Sequence, residues 1–135
     1  MRENNDKTLR TLRARAIALQ ATLADLRKQR DLGILEPARY ALLSTTLDAQ
    51  RIEILDELRT TLAVKDPEFN RILQQAFDLR LDDDAGGAEL GQALLGLAER
   101  KGIGAEVRDQ IEKRRGNIIS WIIDAGIALG TRLIT

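Results

Sequence analysis

The sequence predicts an all-α helical bundle, in which a long N-terminal antiparallel hairpin packs on shorter C-terminal helices. Three observations predict it. Apolar residues recur at alternating spacings of three and four along most of the chain, the period of a buried helix face. Aromatic residues make up only 3% of the 135 residues while hydrophobic ones make up 44%, so the core is built from Leu, Ile and Ala, a mixture that favours helices over sheets. Both prolines, Pro37 and Pro67, stand at expected helix starts, where a missing N–H is no loss. A chain of this length suffices for one core. The reading is a hairpin over 1–64 and a small bundle over 65–135, joined as one compact unit.

Leu9, Leu12, Ala16, Leu19, Leu23 and Leu26 place the first helix, with a stripe at coiled-coil period. It ends at Asp31-Leu32-Gly33, since Gly33 can take the left-handed conformation that closes a helix. Pro37 opens the second helix, which runs to about Ala63 with Tyr40, Leu43, Leu47, Ile54, Leu58 and Leu62 inward. The short connection makes the two antiparallel. Asp66-Pro67-Glu68 repeats the start signal, and Phe69, Ile72, Leu73, Ala76 and Phe77 form the inner face of a helix over 67–80. The run Asp82-Asp83-Asp84-Ala85-Gly86-Gly87 is expected to break it. A fourth helix follows over 88–101, with Leu90, Leu94, Leu97 and Ala98 inward and Gly102 as its stop. Ile103, Val107 and Ile111 define a short fifth, closed by Gly116-Asn117, and Asn117 can cap the sixth and last.

The composition argues against reaction chemistry. There is no Cys and no His, which removes thiolate and imidazole metal sites, the usual general base and every Ser-His or Cys-His nucleophile pair. No enzymatic activity and no cofactor are expected. Absence of Cys fits a reducing cytoplasm, and the polar opening MRENNDKTLR has no apolar segment of a secretory leader. The three consecutive aspartates do not have the ligand spacing of a calcium-binding EF-hand loop and read as a solvated turn. The net charge is zero, yet residues 1–30 carry eight basic and three acidic side chains, a local balance of +5. Without aromatics for base stacking among these arginines, nucleic acid is not the expected partner.

The most apolar stretch is the last, NIISWIIDAGIALGTRLIT, which follows the basic flank Lys113, Arg114 and Arg115. On a helix, Ser120, Asp124, Ala128, Thr131 and Thr135 form a narrow, mostly polar stripe. Ile118, Ile119, Trp121, Ile122, Ile123, Ile127, Leu129, Leu133 and Ile134 cover most of the rest. Gly126 and Gly130 form a GxxxG pair that lets another helix approach closely, in membranes especially. Insertion of this helix alone is near break-even: eight Ile and Leu at roughly −0.5 kcal/mol each against about +3 for Asp124 and a further penalty for Arg132. Burial in a protein gains about 1.5–3 kcal/mol per large side chain. The surface that accepts Ile118, Ile119, Trp121, Ile122, Ile123, Gly126, Ile127, Gly130 and Leu133 is thus the chain's own core, another copy, or lipid. The same alternative holds for the first helix: Leu9, Leu12, Leu19, Leu23 and Leu26 face either the second helix or an oligomer interface.

Two stretches resemble known families. LADLRKQRDLGILEPARYALLSTTLDAQ is similar to the short SHOCT-like helical hairpins of bacterial proteins, with a leucine helix, a Gly-Ile-Leu turn, an acid and a Tyr before a second helix. That resemblance implies support of oligomerisation. From Ile54 to Asn117 the chain resembles the effector-associated domains of bacterial conflict systems, which are small death-domain-like adaptors. The matching residues are Leu55, Leu58, Phe69-Asn70-Arg71-Ile72-Leu73, Leu94-Leu95-Gly96-Leu97-Ala98-Glu99-Arg100-Lys101-Gly102 and Arg115-Gly116-Asn117. The resemblance implies homotypic recognition that recruits an effector or sensor protein in antiviral defence. The expected function is therefore a homo-oligomeric interaction module acting as an adaptor in the cytoplasm. The alternative is a membrane-disrupting effector whose last helix reaches the inner membrane on activation.

Overall fold

The computed structural model describes residues 2–81, 83–113 and 118–134, with the side chains at 2–4, 118, 119, 121 and 134 set aside. Among the described residues helix is the only regular secondary structure, as an all-α bundle requires: α1 (Arg2–Asp31), α2 (Pro37–Leu62), α3 (Pro67–Asp78), α4 (Asp84–Arg100), α5 (Gly104–Lys113) and α6 (Ile118–Ile134).

The hairpin is set by its turn. Gly33 takes φ +74°; its N–H donates to the Arg30 carbonyl at 3.0 Å, and the Ile34 N–H donates to the Gln29 carbonyl at 2.9 Å. This pair of bonds is the Schellman closure of a helix. Glu36 is extended and Pro37 opens α2, so the chain reverses within a few residues. At the far end Ala63 holds φ 49°, a left-handed conformation that costs a residue with a Cβ about 1–2 kcal/mol. Ala63→Gly is expected to stabilise the fold by about 0.5–1 kcal/mol, because relief of that cost exceeds the added freedom of the unfolded chain. A urea midpoint measures it.

α3 begins as its sequence indicates: Asp66 accepts from the Phe69 N–H at 3.0 Å. That bond, with nearby Lys101 adding to it against a partial desolvation, holds the Asp66 carboxyl below its ordinary 3.8. A carboxylate with a depressed folded pKa stabilises fully above its unfolded value and loses that contribution as pH falls through the folded one. Asp66→Asn should therefore weaken the acid-induced loss of stability below about pH 4, read as a shallower fall of the urea midpoint between about pH 4 and 2.

α3 stops at Asp78 rather than at 80, and α4 starts at Asp84 rather than at 88. Leu79 turns to an extended conformation at the end of α3. The Asp83 carboxylate accepts from the Gly86 N–H at 2.9 Å, capping α4 from within the acidic run. Gly86 and Gly87 thus lie inside a helix instead of breaking one. At Gly86 a Cβ would sit 2.5 Å from Asp83 Oδ2 and 2.6 Å from Leu79 Cδ1, so a larger residue there would displace both side chains.

One buried cluster unites the elements, drawing Leu12, Ala16, Leu19 and Leu23 from α1, Ile54, Leu55 and Leu58 from α2, Phe69 and Ile72 from α3, Leu94 and Leu97 from α4, Val107 from α5, and Ile122, Ile123, Ala125, Ile127 and Leu129 from α6. The hairpin and the C-terminal helices share this core. α6 touches all five other helices, which makes it the axis around which the bundle closes.

Candidate functional site

The two surfaces the sequence singles out, the α1 stripe and α6, are where apolar side chains concentrate. The structure spends most of both inside the chain. Leu12, Leu19 and Leu23, offered above as an oligomer interface, are buried in the core, and Leu9 and Leu26 are packed against it half-buried. A side chain with no exposed surface has none to offer a second copy. α2 and α6 together cover the stripe.

In α6, Ile122, Ile123, Gly126, Ile127 and Gly130 are buried and Leu133 is half-buried. Side chains of Ile118, Ile119 and Trp121 lie outside the described residues, as do Arg114 and Arg115 of the basic flank. Lys113 is exposed and pairs with Asp109 at 3.0 Å. Of the polar stripe, Asp124, only 8% exposed, meets the Arg13 guanidinium of α1 at 3.1 Å, Ser120 one turn before it is buried, and Thr131 is exposed. The carboxylate that makes membrane insertion unfavourable is thus neutralised within the protein. Arg13, Asp124, Gln110 and Lys113 line an open polar groove between α1, α5 and α6.

The GxxxG pair faces α2. A Cβ on Gly126 would lie 3.3 Å from Leu58 Cδ2, and one on Gly130 would lie 2.6 Å from Leu62 Cδ1 and 3.3 Å from its Cγ. The small residues therefore admit the leucines of a neighbouring helix of the same chain, one turn apart on each. The two sites differ in tightness, which gives a graded expectation. Gly126→Ala should be within about 0.5 kcal/mol of neutral, the gain in helix propensity of up to about 1 kcal/mol offsetting a mild overlap. Gly130→Ala should destabilise by about 1–2 kcal/mol, because Leu62 is itself buried and cannot swing away. Thermal or urea unfolding of the two variants side by side checks the order.

The sequence reading missed Arg51. It stands in the inner stripe of α2, buried between Leu47 and Ile54. Its Nη1 donates to the Ala76 carbonyl at 2.5 Å and the Phe77 carbonyl at 3.1 Å, so it closes the C-terminus of α3, where the last carbonyls lack intrahelical partners. Its Nε lies 3.3 Å from Asp48 Oδ1, and that same oxygen accepts from the Leu81 N–H at 2.9 Å. Burial pushes the Arg51 pKa down and Asp48 opposes the shift; the guanidinium stays charged, as arginine does. A lone arginine at a core position of a 3-4 pattern is the signal that could have found it.

Among the described residues, the one apolar gap that reaches into the core has no room for a substrate. The apolar gap between α3, α4 and α6, lined by Phe69, Ile72, Leu90, Leu94 and Ile122 among others, measures about 10 Å³, roughly the minimum for one water and without polar partners to hold it. No group of three or more His, Cys, Asp or Glu able to hold a metal occurs among the described residues. None of the helices, over the same residues, is long and apolar enough to cross a membrane.

Among the described residues, the most exposed large apolar side chains lie near the hairpin turn: Leu32 is 63% exposed, Ile34 72% and Leu42 65%. Ile17 and Ile52, further along the hairpin, are each a little under half exposed. No family model, no curated protein and no solved structure matches this chain.

Proposed function

We propose that this protein is a non-enzymatic helical interaction module that self-associates, in the role of an adaptor in bacterial defence signalling. One observation carries the reading: among the described side chains, the apolar faces of α1 and α6 are largely consumed by the core, while the strongest exposure of large aliphatic side chains falls at and beside a rigid turn, Leu32, Ile34 and Leu42. A contiguous exposed apolar patch rimmed by polar groups marks an interaction site, and these three side chains fall within eleven residues of one another about a single turn. The absence of His and Cys from the sequence supports the non-enzymatic part of the reading. The defence setting rests on the resemblance of residues 54–117 to death-domain-like adaptors.

In the competing membrane-effector reading, α6 must first leave a core in which it touches every other helix. The two readings separate in one experiment. Light scattering as a function of concentration should give a mass above the 15.0 kDa of one chain, with no dye released from anionic vesicles. A chain that stays at one-copy mass up to millimolar concentration contradicts self-association, and dye release by the folded protein establishes the effector reading in its place.

A further inference from the structure

We infer that the hairpin turn of one copy docks into the acidic groove between α3 and α4 of another, which rests on the self-association proposed above and names its surfaces. The turn is an apolar projection with basic flanks. In the Schellman closure, the residue after the left-handed glycine normally packs its apolar side chain on the helix residues five or six positions before it. Here that residue is Ile34, and those positions are Gln29 and Lys28. Those two positions offer Ile34 no apolar partner, and it stands 72% exposed beside Leu32. Lys28 and Arg39 on either side are exposed and make no salt bridge among the described residues, nor does the exposed Glu36 between Ile34 and Arg39, so the unpaired charge about the turn is net positive by one. The backbone of the turn is held by hydrogen bonds from Leu32, Gly33, Ile34 and Leu35 back to the last turn of α1, so little freedom is lost when it docks.

The groove is its complement. It is lined by Gln75, Asp78, Leu79, Gly86, Glu89 and Leu90, with a volume of about 270 Å³. Leu79 and Leu90 give it an apolar floor, and the exposed carboxylates of Asp78 and Glu89 stand on its rim. Neither carboxylate makes a salt bridge among the described residues. The volume is below the range of roughly 300–1,000 Å³ typical of pockets for drug-sized ligands and suits aliphatic side chains instead. Apolar projection with cations meets apolar floor with anions; opposite charge on the two partners also disfavours turn-to-turn or groove-to-groove pairing. Because the two surfaces differ, the contact is heterologous, and each copy carries both halves.

Complementation tests this with the full chain. Wild type should gain mass with concentration in light scattering. Ile34→Asp, on the turn, and the double variant Asp78→Asn/Glu89→Lys, on the groove rim and without a cation set against the nearby Arg51, should each keep the wild-type helical circular dichroism and require at least tenfold higher concentration to associate. An equimolar mixture of the two should recover a two-copy complex, since the mixture restores one intact contact. Leu32→Asp serves as a second turn variant should Ile34→Asp fold poorly. Wild-type association with unchanged association in all variants overturns the inference while leaving self-association in place. A mixture that stays at one-copy mass overturns it too, and a wild type that never associates overturns the parent reading itself.

Discussion

Ile123→Asp is expected to unfold the chain at room temperature. Ile123 has no exposed surface and sits in α6 among residues of the shared core. Replacing it forfeits about 2–3 kcal/mol of apolar burial and places an unpartnered carboxylate where desolvation costs several more. The sum, on the order of 5 kcal/mol or above, matches the whole stability of many domains of this size, about 5–15 kcal/mol. Circular dichroism should show loss of helix, or a urea midpoint near zero, whereas Ile17→Asp, at a position 48% exposed on α1, should shift stability by less than about 1 kcal/mol. If α6 were instead a loosely held helix awaiting a membrane, the two substitutions would have similar small effects.

Arg51→Met should cost about 3–5 kcal/mol, the loss seen when one partner of a buried pair is removed. The substitution keeps most of the aliphatic volume but leaves the Phe77 carbonyl without the guanidinium that caps it, the Ala76 carbonyl with only the Leu79 N–H, and the largely buried Asp48 carboxylate with only the Leu81 N–H and the more distant Arg80. The damage should centre on the junction of α2 with the end of α3 and the Leu81 backbone, which Asp48 also holds. Arg59→Met makes the control: Arg59 lies 4.7 Å over the Phe77 ring and pairs with Asp56 on an exposed face, and its loss should be worth about 1 kcal/mol or less. Chemical denaturation of both variants, with amide exchange mapped over residues 76–81, distinguishes a local cap from a general surface effect.

The parts of the fold that were legible in the sequence are those that local chemistry decides. Gly33 before Pro37 sets the hairpin, Asp66-Pro67 sets the start of α3, and the spacing of Leu12, Leu19 and Leu23 marks the inner face of α1. The start of α4 was misplaced because an Asp-Gly-rich run reads as a loop until Asp83 is seen capping Gly86. The partner of the GxxxG pair was not legible at all. Gly126 and Gly130 admit Leu58 and Leu62, residues far away in sequence, and nothing in either segment says which helix fills the space the glycines leave. The same holds for the α1 leucines, whose period is equally that of a core and of an interface; only their burial under α2 and α6 decides between them. The turn surface escaped notice for the opposite reason. Leu32 and Ile34 belong to no periodic pattern, and their exposure is visible only once the hairpin has closed without covering them.

Burial of α6 by the helices of its own chain is the claim on which the rest depends, and amide hydrogen exchange tests it most directly. At a concentration low enough for single copies, the backbone amides of residues 122–130 should exchange among the slowest in the protein, at rates limited by global unfolding, and anionic vesicles should leave them unchanged. Exchange across 122–130 as fast as that of the connection at 64–66 between α2 and α3, or protection that arises only when vesicles are added, would contradict it.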